Sequence, residues 1–170
     1  MEQIKKLISS YRDFPKKGIV FRDVLEILQE PTIFNELIKN MSNVDCVHKS
    51  DAIISIDARG FIFGAAISLY TSKPIIFARK PGKLPGELVS NSYKLEYGEN
   101  SLYIQKKCLD KYNSFVIVDD LLATGGTANC VYEILKSQNK KVTGLNVVVE
   151  LGEMNAREKF PFTTLSQVKL

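Results

Sequence analysis

The stretch FVIVDDLLATGGT, Phe115 to Thr127, constrains this chain more than any other, because a short apolar run leads directly into two acids and then a glycine pair. Phe115 to Val118 has the length and β-branched content of a strand buried on both faces, as in parallel sheets. Open α/β sheets place their ligand crevice at the carboxyl ends of such strands, which is where Asp119 and Asp120 fall. Thr124, Gly125, Gly126 and Thr127 then offer N–H groups that can wrap a phosphate, and the N-terminus of a following helix adds positive potential. Glycine matters there because a side chain would hold the backbone away from the anion. The acids would repel a phosphate, so their partners are hydroxyls or a metal ion. A sugar diol beside a phosphate satisfies both halves of the loop. Taken alone, TGGT serves equally well as a helix-capping turn. The paired acids after a buried strand favour the ligand.

Two further runs, Ala52 to Ile56 and Pro74 to Ala78, read as buried strands,. Helical patterns follow at Gly60 to Tyr70 and at Thr127 to Lys136, where Val131, Ile134 and Leu135 share a face,. Strands alternating with helices predict an α/β fold with a mostly parallel sheet. A helix is expected from Pro31, suited to a first turn, burying Phe34, Leu37, Ile38 and Met41,. At the amino terminus, Ile4, Leu7, Ile8 and Tyr11 are spaced as one helix face,. Arg79 to Asn91, with two Pro and two Gly, reads as a mobile basic loop,. Tyr93, Leu95 and Tyr97 then alternate like a strand,. Val142 to Val149 predicts another strand, Met154 to Lys159 one or two helical turns, and Phe162 to Val168 a last strand.

A chain of 170 residues suits one domain with a real core,. Its apolar stretches fall short of the roughly 18 residues of a membrane span, and its start lacks the continuous apolar core of a secretory signal. A cytoplasmic protein is expected. Cys46, Cys108 and Cys130 are odd in number and far apart, which predicts reduced, mostly buried thiols,. His48 is the single histidine, so a multi-histidine metal site is excluded, and a surface or interface position is expected for it,. The net charge of +4 suits a small anionic ligand, and equally plain solubility, rather than a nucleic-acid backbone,. Neither GxGxxG after a strand nor GxxxxGK[ST] occurs, which disfavours a dinucleotide site and a P-loop.

The segment VDDLLATGGTA resembles the phosphoribosyl-pyrophosphate (PRPP) motif of the type I phosphoribosyltransferases, in the form typical of their adenine-specific members. The resemblance extends through DFPKKGIVFRDV (Asp13 to Val24), IDARGFIFGAA (Ile56 to Ala66), ARKPGKLPGE (Ala78 to Glu87) and YKLEYGENSLYIQ (Tyr93 to Gln105). It implies a type I phosphoribosyltransferase fold over 1–170, with a hood from about residues 11–25 and a mobile basic loop over about residues 79–97. The implied reaction, part of purine salvage, joins adenine to PRPP to give AMP and pyrophosphate, with Mg2+ carried by PRPP near Asp119 and Asp120 rather than by direct side-chain ligation.

By the same resemblance, Asp119 and Asp120 contact the ribose hydroxyls, while Ala123, Thr124, Gly125, Gly126 and Thr127 bind the 5′-phosphate. The turn holding Asp57, Ala58 and Arg59 binds pyrophosphate, often through a non-proline cis peptide. Ala58 stands where some relatives have serine, which leaves the arginine and the backbone donors. Arg79, Lys80 and Lys83 neutralise the same pyrophosphate, Arg79 reaching the partner's site in a homodimer. Pro81 replaces a basic residue found in some relatives. Phe21, Arg22, Leu121 and Glu96 form the adenine site, and Glu96 and Arg59 are the implied catalytic residues. Without the family context, Phe21 would pass for core packing, Arg59 for a surface residue and Glu96 for a solvent-facing charge. Three rivals are a transferase for another purine, a PRPP sensor that binds nucleic acid, and a structural domain with an unused pocket. No basic helix or spare module supports the second.

Overall fold

The computed structural model describes residues 2–95 and 98–170. Glu96 and Tyr97 therefore lie outside the described residues. A short helix α1 (Glu2–Lys6) precedes an antiparallel pair, β1 (Ser9–Arg12) and β2 (Val20–Asp23). A 3-10 turn at Leu25–Gln29, helix α2 (Pro31–Ser42) and the single turn α3 (Asp45–His48) lead into the central sheet. There β3 (Ala52–Ile56), helix α4 (Gly60–Thr71) and β4 (Ile75–Ala78) form one crossover. An antiparallel hairpin, β5 (Leu88–Leu95) with β6 (Gly98–Gln105), intervenes before the turn α5 (Lys106–Leu109). The second crossover comprises β7 (Ser114–Leu122), helix α6 (Gly126–Ser137) and β8 (Lys141–Glu150). Two 3-10 turns, Gly152–Met154 and Ala156–Lys159, then lead to β9 (Thr164–Lys169).

The sheet runs β4-β3-β7-β8-β9 with every neighbouring pair parallel. Successive side chains of a strand point to opposite faces, and here both faces are covered. Ile54, Phe115, Ile117, Leu145 and Val147 meet Val131, Ile134 and Leu135 of α6 on one side. Ile53, Val116, Val118 and Val148 meet Phe63 and Ile67 of α4, with Leu37, Ile38 and Met41 of α2, on the other. Neighbours such as Ile53 and Ile54, or Val116 and Ile117, are split between two cores, which is why these strands read as unbroken apolar runs.

The crossovers depart in opposite directions from the middle of the sheet. From β3 the chain moves through α4 to the edge strand β4; from β7 it moves through α6, on the other face, to β8. The carboxyl ends of β3 and β7 thus flank the point where strand order reverses, the place where such sheets open a crevice.

The α/β reading and its parallel sheet hold, and β3, α2, α4, α6 and β8 fall within a few residues of expectation. Three expectations need correction. The amino-terminal helix stops at Lys6, and Tyr11, 52% exposed, lies in β1 instead of on a helix face. A helix so short gains little by itself, and the backbone of Ser9 to Arg12 finds partners in β2,. The basic loop is shorter than the stretch 79–97 expected for it, because β5 begins at Leu88; the pairing with β6 and the packing of Val89 on the core order that half. Lastly, β7 continues to Leu122, so Asp119 and Asp120 belong to the strand and are not the start of a loop. Of the thiols, Cys46 and Cys130 are buried and Cys108 only partly so, and all three are free. His48 is exposed at the end of α3.

Candidate active site

Two turns build the crevice. The one after β3 carries Asp57, Ala58 and Arg59, and its Asp57–Ala58 peptide is cis. The one after β7 carries Ala123, Thr124 and Gly125 into the first residue of α6, Gly126. Together with Lys80, Asp119, Asp120, Leu121, Leu122 and Thr127 they line a cavity of ≈ 430 Å³. A larger, more open cleft lies at the opposite end of the strands, around Asp51, Lys73 and Tyr112, away from all these residues.

Close packing joins the turns. A Cβ on Gly60 would lie 2.7 Å from Oδ1 of Asp119 and 3.1 Å from its Cα, so only glycine lets α4 start this near to β7. Ser55 Oγ donates to the Gly60 carbonyl at 2.6 Å, tying the same turn to the floor of β3. Gly125 has φ +81, a left-handed conformation, and packs on Ala156 and Phe160,. As the residue preceding α6, it begins a helix whose first N–H groups have no partners inside the helix and face the crevice,.

The two acids differ in setting. Asp119 is 8% exposed, and its carboxyl Oδ1 accepts the Asp120 N–H at 2.9 Å. Burial, then the neighbouring charge of Asp120, pushes its pKa well above 3.8, with Arg59 acting in the opposite sense,. Asp120 Oδ2 lies 2.8 Å from Arg59 Nη2 as an ion pair, yet no N–H is aligned on it, so this buried oxygen lacks a proper hydrogen bond.

Arg59 makes further contacts. Its Nη1 donates to the Arg22 carbonyl at 3.2 Å, and its guanidinium sits 4.8 Å from the centroid of the Phe21 ring. These bring β2 and the hood to the crevice, although Phe21 and Arg22 do not line the cavity itself. Phe21 also meets Phe14 edge-on, their ring centroids 5.2 Å apart, and Arg22 Nη1 donates to Ser10 Oγ. Arg79 pairs with Asp57 at 3.2 Å and reaches the Lys83 carbonyl at 3.4 Å. Lys80 lines the cavity; Lys83 does not. Glu96, expected in this site, lies outside the described residues.

The sequence reading assigned no role to Gly60, although it sits within the quoted IDARGFIFGAA, and none to the turn Ala156–Lys159, which it expected only as part of one or two helical turns. Lys159 Nζ donates to the Thr124 carbonyl at 2.8 Å across 35 positions of sequence, a contact that no local pattern signals.

A glycine turn opening a helix, a buried acid pair and an arginine-bearing turn meet at a switch point of a parallel sheet, an arrangement that fits a phosphoribosyl transferase domain,. The model of the family so described matches residues 23–169. An adenine phosphoribosyltransferase of Prochlorococcus marinus (strain MIT 9211) is 64% identical over 165 residues, covering 97% of this chain and 96% of the relative. The crystal structure of adenine phosphoribosyltransferase from Thermoanaerobacter pseudethanolicus superposes with a TM-score of 0.92 at 38% identity, covering 99% of both chains. The enzyme from Giardia lamblia, solved in complex with 9-deazaadenine, gives 0.93 at 28% identity, covering 99% of this chain and 97% of the other. The chain belongs to the adenine phosphoribosyltransferase branch of the phosphoribosyltransferase family.

Proposed function

We propose that this protein transfers the 5-phosphoribosyl group from PRPP to adenine, releasing AMP and pyrophosphate. One observation carries the reading: the turn at Asp57 to Arg59 and the segment Asp119 to Thr127, the end of β7 with the turn that follows it, open into a single crevice. PRPP carries a phosphate and a diphosphate on one ribose, so a single crevice with a donor-bearing turn on each side suits it.

Cleavage of the glycosidic bond builds positive charge on the ribose ring. Asp119 and Asp120 hold the ribose hydroxyls and place negative charge below the ring, while N–H groups of Ala123 to Thr127 hold the 5′-phosphate. Asp57, the backbone at Ala58, Arg59, Arg79, Lys80 and Lys83 face the departing pyrophosphate. Arg79 does so in its own subunit or in its partner's. Asp119 and Asp120, the latter with a buried oxygen free of aligned hydrogen bonds, would stand beside a Mg2+ carried by PRPP, which would supply positive charge to the leaving group,. Phe21, Arg22 and Leu121 hold adenine, and Glu96 takes the imidazole proton lost as the base attacks. Glu96→Gln should lower turnover far more than PRPP affinity; unchanged turnover would remove Glu96 from the mechanism.

We further infer a single domain with the hood over the crevice, acting as a cytoplasmic homodimer. In support, Leu69 is 86% exposed and its neighbour in α4, Tyr70, is 52% exposed, apolar surface that a second copy would cover,. Free cysteines accord with a reducing compartment,. Among the described residues no helix is long and apolar enough to cross a membrane. Light scattering that returned a monomer would refute the dimer.

The deciding experiment incubates the protein with PRPP, Mg2+ and each purine base in turn, and follows nucleoside monophosphate. Adenine alone should react. Comparable product from hypoxanthine or guanine would overturn the specificity, and no product from any base would favour a PRPP sensor.

A further inference from the structure

We infer that Lys159 is a positioning residue for the phosphate cradle, holding the Thr124–Gly125 peptide so that its N–H turns into the crevice. The inference rests on reading that crevice as a ribose phosphate site. In a trans peptide the carbonyl and the N–H point in opposite directions. The Thr124 carbonyl is held from outside by the Lys159 ammonium at 2.8 Å. The Gly125 N–H therefore faces the other way, and among the described residues nothing accepts from it.

A flexible peptide next to a glycine could flip and present its carbonyl oxygen to the anion, which would repel it. Lys159 opposes that flip. Its charge also polarises the peptide, making the N–H a better donor.

Lysine side chains are mobile, so the position of this one depends on the turn that carries it. That turn is braced. Arg157 Nε donates to Glu150 Oε1 at 2.7 Å, and Arg157 Nη2 pairs with Oε2 of the same carboxylate. Ser166 Oγ adds a hydrogen bond to Oε2 at 2.8 Å, and Glu150 is 1% exposed. Glu150 ends β8 and pairs with Leu122, the last residue of β7. The linkage closes on itself: from the end of β7 across to Glu150, through Arg157 to Lys159, and back to Thr124 at the start of the loop. From below, Ala156 and Phe160 would stand 3.4 and 3.3 Å from a Cβ on Gly125, so the turn supports the loop at two adjacent residues.

The test compares Lys159→Met, which keeps the apolar stem, with Lys159→Arg, which keeps the charge. In AMP formation, Lys159→Met should raise the KM for PRPP by about three- to tenfold, the loss of one charge-assisted hydrogen bond. Its kcat and KM for adenine should stay within about twofold, and its melting temperature should stay close to that of the parent. Lys159→Arg should restore most of the PRPP KM. Arg157→Lys, which loosens the turn and leaves Lys159 in place, should shift the same constant in the same direction. Calorimetric titration with ribose 5-phosphate should weaken in parallel. An unchanged PRPP KM in Lys159→Met, or an equal rise in both KM values, overturns the inference and leaves the proposed reaction standing. Should the parent protein form no AMP, the proposed reaction fails, and the ribose 5-phosphate titration still decides: equal binding by parent and Lys159→Met, or none by either, sinks the role of Lys159.

Discussion

Arg59 Nη2 lies 2.8 Å from Asp120 Oδ2, so the turn that would hold pyrophosphate and the strand that would hold ribose share a single ion pair. The arginine is only 29% exposed at its side chain and also contacts the Arg22 carbonyl and the Phe21 ring. One guanidinium thus compensates the acid and stands over the aromatic ring of the hood. A diphosphate entering the crevice offers this cation a stronger partner than Asp120, which would free the carboxylate for a ribose hydroxyl.

Arg59→Ala should accordingly lower AMP formation by about a hundredfold, the scale of losing one positioned donor for a developing anion. Arg59→Lys should recover only part, because an ammonium cannot span Asp120 and the Arg22 carbonyl with a planar fork. Steady-state turnover with adenine and PRPP measures both. Activity within threefold of the parent in Arg59→Ala would show that the leaving group is stabilised elsewhere.

Gly60→Ala tests the packing between the two turns. The added methyl would meet Asp119 Oδ1 at 2.7 Å and the Val118 carbonyl at 3.2 Å, and neither backbone can retreat within a paired strand. We expect a stability loss of about 1–3 kcal/mol by overpacking and a raised KM for PRPP as Asp119 is displaced. Urea unfolding and PRPP saturation curves would reveal it; a variant matching the parent in both means that the two turns have slack.

The site was legible in the sequence wherever a single segment carried the whole signal. Phe115 to Val118 announces a doubly buried strand by itself, and the acids and glycines follow within a few residues, so β7, α6 and the glycine turn between them could be read directly. Their extent was less legible. Asp119 and Asp120 look like loop residues, yet β8 pairs alongside them as far as Leu122 and Glu150. The pairs β1 with β2 and β5 with β6 were harder still, because their strands are polar or mixed and are ordered by a partner strand, not by their own periodicity. Contacts such as Lys159 with Thr124 exist only once the sheet has folded, and the residue types on either side look ordinary.

Asp119→Asn should separate binding from stability. The folded-state pKa of Asp119 is raised above 3.8, chiefly by burial and then by Asp120. A carboxyl shifted this way favours the folded state while protonated, and that advantage fades as pH rises from the unfolded value through the folded one. At neutral pH the parent therefore carries a buried charge that asparagine avoids, while Oδ1 of asparagine can still accept the Asp120 N–H. Calorimetry should find Asp119→Asn more stable than the parent at pH 7, with the gap closing toward pH 4, and PRPP binding weakened. In the parent, the PRPP KM should rise as pH falls through a midpoint above the ordinary carboxylate range. A gap independent of pH would place the carboxylate's cost elsewhere.

Glu150 has the opposite sign. The Arg157 hydrogen bonds hold its pKa below 4.5 against the effect of burial, and Ser166 acts in the same direction as Arg157. A depressed carboxyl contributes stability that is fully present above the unfolded value and is lost as pH falls through the folded one. Glu150→Gln keeps the shape but leaves the guanidinium without its counter-charge. Arg157 is 43% exposed and water can partly replace its partner, so the expected loss at pH 7 is about 1–2 kcal/mol and not the larger value of a fully buried pair,. Urea unfolding at pH 7 and again near pH 3 should show the difference shrinking as the parent's carboxylate takes up its proton. If Glu150→Gln unfolds at the same urea concentration as the parent at pH 7, the pair does not hold the turn, and the support it gives to Lys159 falls with it.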